Sequence, residues 1–267
     1  MRGNEPRLRV AILTSRNATG IESLISDPRR GTVYEIAGVV SSEPELRNAA
    51  VIEAARVPLL SIPFARFHEE RGLPPRNLRA RRQYDEELAA TLQRLGADYV
   101  LLVGYRYIVT SPLLEAFPNS VIALHETDLT QQRDRGLHAV ADALYTGAPE
   151  TRVSAWIVTE EVAAGPLLLL SGAYRVPPVV DDARRWGAAD LLRSYSDIHA
   201  QWMMRRASGP MLVRLVEILA GGTLQIVGDV VWVDGAPGPC RMGEAPALCL
   251  EEEPAGIPRS CPFISSH

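Results

Sequence analysis

From residue 8 to about residue 176, short runs rich in Val, Ile and Leu alternate with stretches of helical spacing. No other feature of the chain restricts its fold as much. Strands separated by helices pair most readily in parallel, with the crossovers covering both faces of one sheet. The apolar runs at residues 8–14, 34–40, 57–60, 99–103, 121–125, 151–158 and 167–176 are the expected strands. Between them, helices are expected at residues 21–26, at 43–55 with Leu46, Ala50, Ile52 and Ala55 on one face, and at 84–95. Ser111-Pro112 opens a further short helix, Pro being suited to a first turn, and Gly147 closes one over residues 137–146. The fold class is therefore α/β, with a doubly wound, mostly parallel sheet.

After Pro177-Pro178 stops the last of these strands, the pattern changes. Residues 188–220 read as helical, broken near Ser208-Gly209-Pro210. Residues 224–227 and 230–233 flank Gly228-Asp229 as a β-hairpin would. The rest is rich in Pro, Gly and Cys. The expected organisation is an α/β domain over 1–180, C-terminal helices and a hairpin packed on it over 181–235, and a loosely ordered tail over 236–267.

Composition narrows the chemistry. The formal net charge is −4, where a nucleic-acid surface would normally show a basic excess. Every one of the 28 positive side chains is an arginine, which excludes a lysine Schiff base and the lysine of a P-loop. Cys240, Cys249 and Cys261 lie near the C-terminus without the spacing of a zinc knuckle; they read as reduced thiols, and no metal site is expected. Met1 to Pro6 is polar, so no signal peptide is expected, and no apolar run reaches the ~18 residues of a bilayer span. The expectation is a cytoplasmic protein with no nucleic-acid or membrane partner. A homodimer is left open, with Trp202-Met203-Met204 and the hairpin as candidate surfaces.

Two stretches carry candidate chemistry. Val121-Ile-Ala-Leu-His-Glu-Thr-Asp-Leu129 ends an apolar run in His125, followed at once by Glu126, Thr127 and Asp128. The carboxyl edge of an α/β sheet is where reactive groups gather, and a histidine there can take and give a proton near neutral pH. The bland alternative is a partly buried histidine finishing a strand. Ser15-Arg-Asn-Ala-Thr-Gly20 lies between the first strand and first helix, a layout that presents backbone N–H groups to an anion. It lacks G-x-G-x-x-G, so a dinucleotide reading is weak.

Six markers in order then resemble the formyltetrahydrofolate-dependent formyltransferase family, with the glycinamide ribonucleotide transformylases as the nearest branch. They are Leu13-Thr-Ser-Arg-Asn-Ala-Thr-Gly-Ile21, Arg81-Arg-Gln-Tyr-Asp85, Gly104-Tyr-Arg-Tyr-Ile108, His125, Gly136-Leu-His138 and Val158-Thr-Glu-Glu-Val-Ala-Ala-Gly-Pro166. The resemblance spans roughly residues 7–180. It implies transfer of a formyl group from 10-formyltetrahydrofolate, as co-substrate, to an amine of an anionic, phosphorylated small molecule.

By that resemblance His125 is the general acid or an electrostatic partner, while the family's Asn falls at Ala123, its Asp at Ala163 and its usual Pro at Glu126. Losing one oxyanion donor typically costs on the order of 100- to 1000-fold in rate. Ordinary transfer then requires a rebuilt site, with Glu126, Asp128, Glu160 or Glu161 supplying the carboxylate and Thr127 or a backbone N–H supplying the donor. The resemblance further implies substrate contacts from Ser15, Asn17, Ala18, Thr19 and Arg81. Folate contacts would come from Tyr105, Arg106, Tyr107, Ile108, Val162, Ala164 and Gly165. The alternatives are a non-catalytic folate- or small-molecule-binding protein on the same fold, and a formyltetrahydrofolate hydrolase.

Overall fold

In the computed structural model, residues 7–131, 139–161, 164–227 and 230–243 are described. The first half runs β1 (Leu8–Thr14), α1 (Ile21–Ser26), β2 (Tyr34–Ser41), α2 (Ala49–Ala54), β3 (Leu59–Ser61), α3 (Phe64–Glu70), α4 (Leu78–Arg94), β4 (Tyr99–Leu102), α5 (Ser111–Ala116) and β5 (Val121–His125). The second half runs α6 (Ala139–Tyr145), β6 (Glu150–Thr151), β7 (Ser154–Ile157), β8 (Leu167–Leu170), β9 (Tyr174–Arg175), α7 (Val179–Arg185), α8 (Ala189–Ala220), β10 (Leu224–Val227), β11 (Val230–Val233), β12 (Ala236–Pro237) and β13 (Cys240–Arg241).

Eight strands form one sheet in the order β13-β8-β7-β5-β4-β1-β2-β3. The pairs β1–β2, β2–β3, β1–β4 and β4–β5 are parallel, whereas β7 runs antiparallel to both β5 and β8. The chain winds outward from β1 through β2 to β3, then returns to the other side of β1 with β4. That reversal leaves a crevice outside the carboxyl ends of β1 and β4, where open α/β sheets place their ligands. Val10, Ala11, Ile12 and Leu13 of β1 have no exposed surface, as expected of a strand covered on both faces. One face packs on α1, α2, α6, α7 and α8, and the other on α3, α4 and α5.

The sheet and its helices match the α/β reading, with corrections at particular places. The helix expected over 43–55 is confined to α2. Pro44 interrupts its start, and the N–H of Arg47 donates to the carbonyl of Arg16 at 3.1 Å, tying the segment to the turn after β1. Helix α4 begins earlier than expected, at Leu78, because Asn77 caps it: its Oδ1 accepts from the N–H of Ala80 at 3.1 Å. Helix α3 was not foreseen.

Helix α8 runs without a break through Ser208-Gly209-Pro210. Gly209 is there for packing: a Cβ on it would lie 2.3 Å from Oγ of Ser23 on α1, and a Cβ on Gly20 of the α1 cap would lie 2.4 Å from the Gly209 nitrogen. Pro210 lies on an exposed side of the helix, where the hydrogen bond it omits costs least. The hairpin pairs as expected, Val227 opposite Val230, with Gly228-Asp229 outside the described residues. The segment read as a loose tail contributes at its start: β12 joins the hairpin, and β13 extends the main sheet alongside β8. Cys240 on β13 is a free thiol; Cys249 and Cys261 lie outside the described residues.

Two arginines close helix ends away from the crevice. Arg9 donates from Nε and Nη2 to the carbonyls of Gly96 and Leu95 at 2.8 Å each, and Arg30 donates to that of Ala55 at 2.9 Å. Cations there satisfy the terminal carbonyls of α4 and α2 and complement their dipoles. Among the described residues, no helix is long and apolar enough to cross a membrane.

Candidate functional site

His125 ends β5, half-buried at the carboxyl edge. Its Nδ1 lies 2.6 Å from Oγ1 of Thr127, so the ring is held and Nε2 is the nitrogen left for other contacts. Burial pushes the imidazole below its ordinary value of 6.5, against the opposing pull of the adjacent Glu126 carboxylate, so the neutral form dominates near pH 7. Ser154 on β7, directly across from His125, fixes the chain beyond it. Its Oγ donates to the carbonyl of Thr127 at 2.6 Å and accepts from the N–H of Leu129 at 3.0 Å.

Of the four candidate carboxylates, Glu160 is exposed, and the other three separate clearly. Asp128 is already engaged, accepting from the N–H and Oγ1 of Thr130 and lying 3.6 Å from Nε of Arg152. Glu161 is exposed and makes no hydrogen bond to His125. Glu126 makes no hydrogen bond or ion pair to a described residue and is the one whose charge reaches the imidazole.

The turn after β1 and the loop after β4 meet. The Ser15 Oγ accepts from the N–H of Arg106 at 3.1 Å and from Oγ of Ser42 at 2.9 Å. Gly104, at φ 64°, lies so close to the carbonyl of Asn17 that a Cβ would sit 3.1 Å away. Several donors expected to cradle an anion are spent within the protein. The N–H groups of Ala18, Thr19 and Ile21 go to Asn48 Oδ1, Asn17 O and Ala18 O, and Nδ2 of Asn17 goes to Oγ1 of Thr19. On its outer side the turn borders a cleft of about 370 Å³ shared with Arg205, Gly209 and Pro210 of α8.

Arg81 is buried rather than open to a ligand, at 7% exposure. Its Nε donates to the carbonyl of Ile108 at 2.8 Å, and its Nη2 donates to the same carbonyl and to Oη of Tyr105 at 3.1 Å. Asp85, fully buried one turn along α4, lies 3.3 Å from Nη2 and accepts from the N–H and Oγ1 of Thr110 at 2.6 and 2.7 Å. Burial raises the Asp85 carboxyl, with Arg81 and Thr110 pulling it back down. Phe64 and Tyr107 stack at 3.9 Å beside the guanidinium, which lies 4.9 and 5.4 Å from the two rings. Arg81 thus clamps residues 105–110, while Arg106 and Ile108 remain exposed.

Gly165 admits no side chain, because a Cβ would fall 1.8 Å from the carbonyl of Ile157; Ala164 next to it is half-buried, and Val162 and Ala163 lie outside the described residues. Among the described residues, no three His, Cys, Asp or Glu side chains group as metal ligands would.

A family model described as formyl transferase matches residues 8–183, the stretch from β1 into α7 that builds this geometry apart from the α8 wall of the cleft. The chain belongs to the formyl transferase family. The phosphoribosylglycinamide formyltransferase of Arabidopsis thaliana chloroplasts is 26% identical over 178 residues, covering 65% of this chain and 57% of the relative. The formyltetrahydrofolate deformylase of Escherichia coli K12 is 24% identical over 219 residues, covering 82% of this chain and 70% of the relative. The crystal structure of glycinamide ribonucleotide transformylase 1 from Symbiobacterium toebii superposes with a TM-score of 0.63 at 26% identity, over 87% of this chain and 99% of that one. Of the trifunctional purine biosynthetic proteins it also resembles, the chain spans only 12% to 15%.

In this member of the family, the residue across the sheet from Ala123 is Trp156 of β7. Reading the sequence passed over Trp156, treating it as one apolar residue of a strand. The available signal was its place in that strand, two residues from the Ser154 that faces His125. The buried His68 lies against Phe64 at 4.1 Å with the rings tilted by 44°, part of an aromatic cluster that was equally unforeseen.

Proposed function

We propose that the chain binds 10-formyltetrahydrofolate in the crevice outside β1, β4 and β5 and passes its formyl group to an amine of an anionic small molecule. The observation that carries this reading is His125 at the end of β5, oriented through Nδ1 by Thr127 and kept neutral by burial. A neutral imidazole can accept the proton that an attacking amine loses on bonding to the formyl carbon. The same proton can then be delivered to the departing folate nitrogen, so His125 ends as it began. Glu126 is the carboxylate placed to stabilise the imidazolium between those steps. The clamped residues 105–108 and the stretch at 164–165 offer backbone groups and the exposed Ile108 side chain to a flat heterocycle. With Ser15 and Ala18 fully buried and their polar groups engaged, acceptor binding is assigned to the outer side of the turn after β1, where Asn17 and Thr19 line a cleft with Arg205 of α8. The phosphoribosylglycinamide named for the Arabidopsis relative is the first acceptor to test.

Binding without transfer is a second reading, favoured by a specific feature: no carboxylate among the described residues is hydrogen-bonded to His125. Hydrolysis of the formyl folate, the activity in the deformylase relative's name, needs the same groups with water in place of the amine.

Calorimetry with 10-formyltetrahydrofolate, followed by transfer assays over phosphorylated amines, separates these readings. The expected result is saturable binding and transfer that His125→Ala abolishes, with an acid limb in kcat/KM below pH 6.5, because His125 gains its proton only below the ordinary imidazole value. Absence of binding sinks the folate assignment. Binding with neither transfer nor hydrolysis leaves the non-catalytic reading.

A further inference from the structure

The sheet register sets Leu13, Leu102, Ala123, Trp156 and Leu167 in one row across β1, β4, β5, β7 and β8. Four of the five side chains are large; Ala123 offers only a methyl group. Residues opposite one another in an antiparallel pair share a face, as do residues two apart along a strand. Trp156 and Ala123 therefore stand on the same face as His125 and Ser154, and they lie one row in from the sheet edge. That face is the one covered by α3, α4 and α5, beneath Tyr105 and Tyr107 of the clamped loop.

Trp156 is 6% exposed, and its indole Nε1 is buried with no hydrogen-bond partner. An indole nitrogen can only donate, so nothing but an acceptor will satisfy it. Its neighbours in the row, Ala123 and Leu167, carry no polar side-chain atom. Buried donors without acceptors are rare because they forfeit the bond they had with water. Ala123, paired with Trp156 and two residues from His125, is the one position of the row whose small side chain leaves room for an entering carbonyl oxygen.

We propose that Trp156 is a ligand-contacting residue whose Nε1–H donates to the carbonyl oxygen of the formyl group bound beside His125. The proposal rests on the reading that a formyl folate occupies this crevice. It replaces the side-chain donor that the family resemblance expects at residue 123 with one from the next strand. Such a bond strengthens as the carbonyl oxygen gains negative charge during attack, so it favours the reacting state over the bound one.

The test compares affinity for 10-formyltetrahydrofolate with affinity for tetrahydrofolate, which lacks the acceptor, in the wild-type chain and in Trp156→Phe. Phe keeps a ring in the row and removes only the N–H. Wild type should prefer the formyl compound by roughly three- to tenfold, the range of one net hydrogen bond, and the variant should lose that preference while binding tetrahydrofolate as before. The indole resonance that Trp156→Phe deletes from the proton–nitrogen spectrum should also move downfield in wild type when the formyl compound binds, and stay put with tetrahydrofolate. A preference retained in the variant, or a resonance that does not move, overturns the proposal while leaving the folate reading intact. Wild type that binds neither compound overturns the folate reading and this proposal with it. A purely structural tryptophan would weaken both ligands equally and lower thermal stability, which the preference ratio does not follow.

Discussion

Lowering the pH from 7.5 to 4 should weaken the fold through one residue far from the crevice edge of β5, His199 of α8. It is 1% exposed, with Nε2 2.7 Å from Oγ1 of Thr151 on β6 and Nδ1 3.2 Å from Oη of Tyr195. The Thr151 hydroxyl is also 3.3 Å from the sulfur of Met203, and Trp202 lies against the imidazole at 5.5 Å between ring centres. Burial alone pushes the imidazole from 6.5 down to about 4. The folded state therefore holds His199 neutral at pH values where the unfolded chain already binds a proton. Its contribution is intact above about pH 6.5, falls progressively below that, and is fully lost below about pH 4. A displacement of that size corresponds to about 3 kcal/mol at 1.36 kcal/mol per unit. The assay is urea unfolding at intervals from pH 7.5 to 4, on wild type and on His199→Gln, which keeps an amide for Thr151 but cannot titrate. Other groups titrate identically in both proteins, so the difference between the two curves isolates His199. That difference should shift by about 3 kcal/mol in favour of the variant as pH falls from 6.5 to 4. A difference that is constant with pH would refute the argument, because it would mean that His199 has the same proton affinity folded and unfolded.

Two further perturbations test how the site is held. Arg81→Met should destabilise by about 3–5 kcal/mol by leaving the buried Asp85 without its cation, and Arg81→Met/Asp85→Leu should recover much of that loss; equal instability in the double variant would show that the guanidinium matters through its bonds to Tyr105 and Ile108 instead. Gly20→Ala forces a Cβ to within 2.4 Å of the Gly209 backbone in a residue at φ 86°, so the melting temperature should fall by at least several degrees; an unchanged melting temperature would mean that α1 and α8 are not in this contact.

The sheet was largely legible because its strands are buried on both faces. Val10 to Leu13 and Val100 to Leu102 had to be continuous apolar runs, and runs of that kind announce themselves without any alignment. What could not be read were features set by distant partners. Ser208-Gly209-Pro210 has the composition of a break, yet the glycine answers to Gly20, and only the contact reveals this. Arg81 has the charge of an anion ligand, but it is buried and its Nε and Nη2 are taken by Ile108, Tyr105 and Asp85, all brought to it by folding. Residues 43–48 carried helical spacing and were overruled by Pro44 and by the bond from Arg47 to Arg16.

The same logic separates the two halves of the candidate site. A histidine ending a buried strand is local information, so His125 stands out as a candidate in its own strand, while its site role comes from the order of the family's markers. The groups that would help it are not local, since a donor or carboxylate can come from any element that converges on the crevice. Residues following His125 in sequence were therefore natural candidates, but the structure spends Asp128 on Thr130 and Arg152 and turns Glu161 outward. An unsatisfied donor paired across the sheet from residue 123 belongs instead to Trp156, thirty-one positions on from His125 and adjacent only because β7 runs antiparallel to β5. In a parallel sheet with one reversed strand, that reversal sets β7 beside the reactive end of β5 in the opposite chain direction. Substitutions at residue 123 and at residue 156 should accordingly be coupled: adding a carboxamide with Ala123→Asn ought to matter little while the indole N–H is present, and more once Trp156→Phe has removed it.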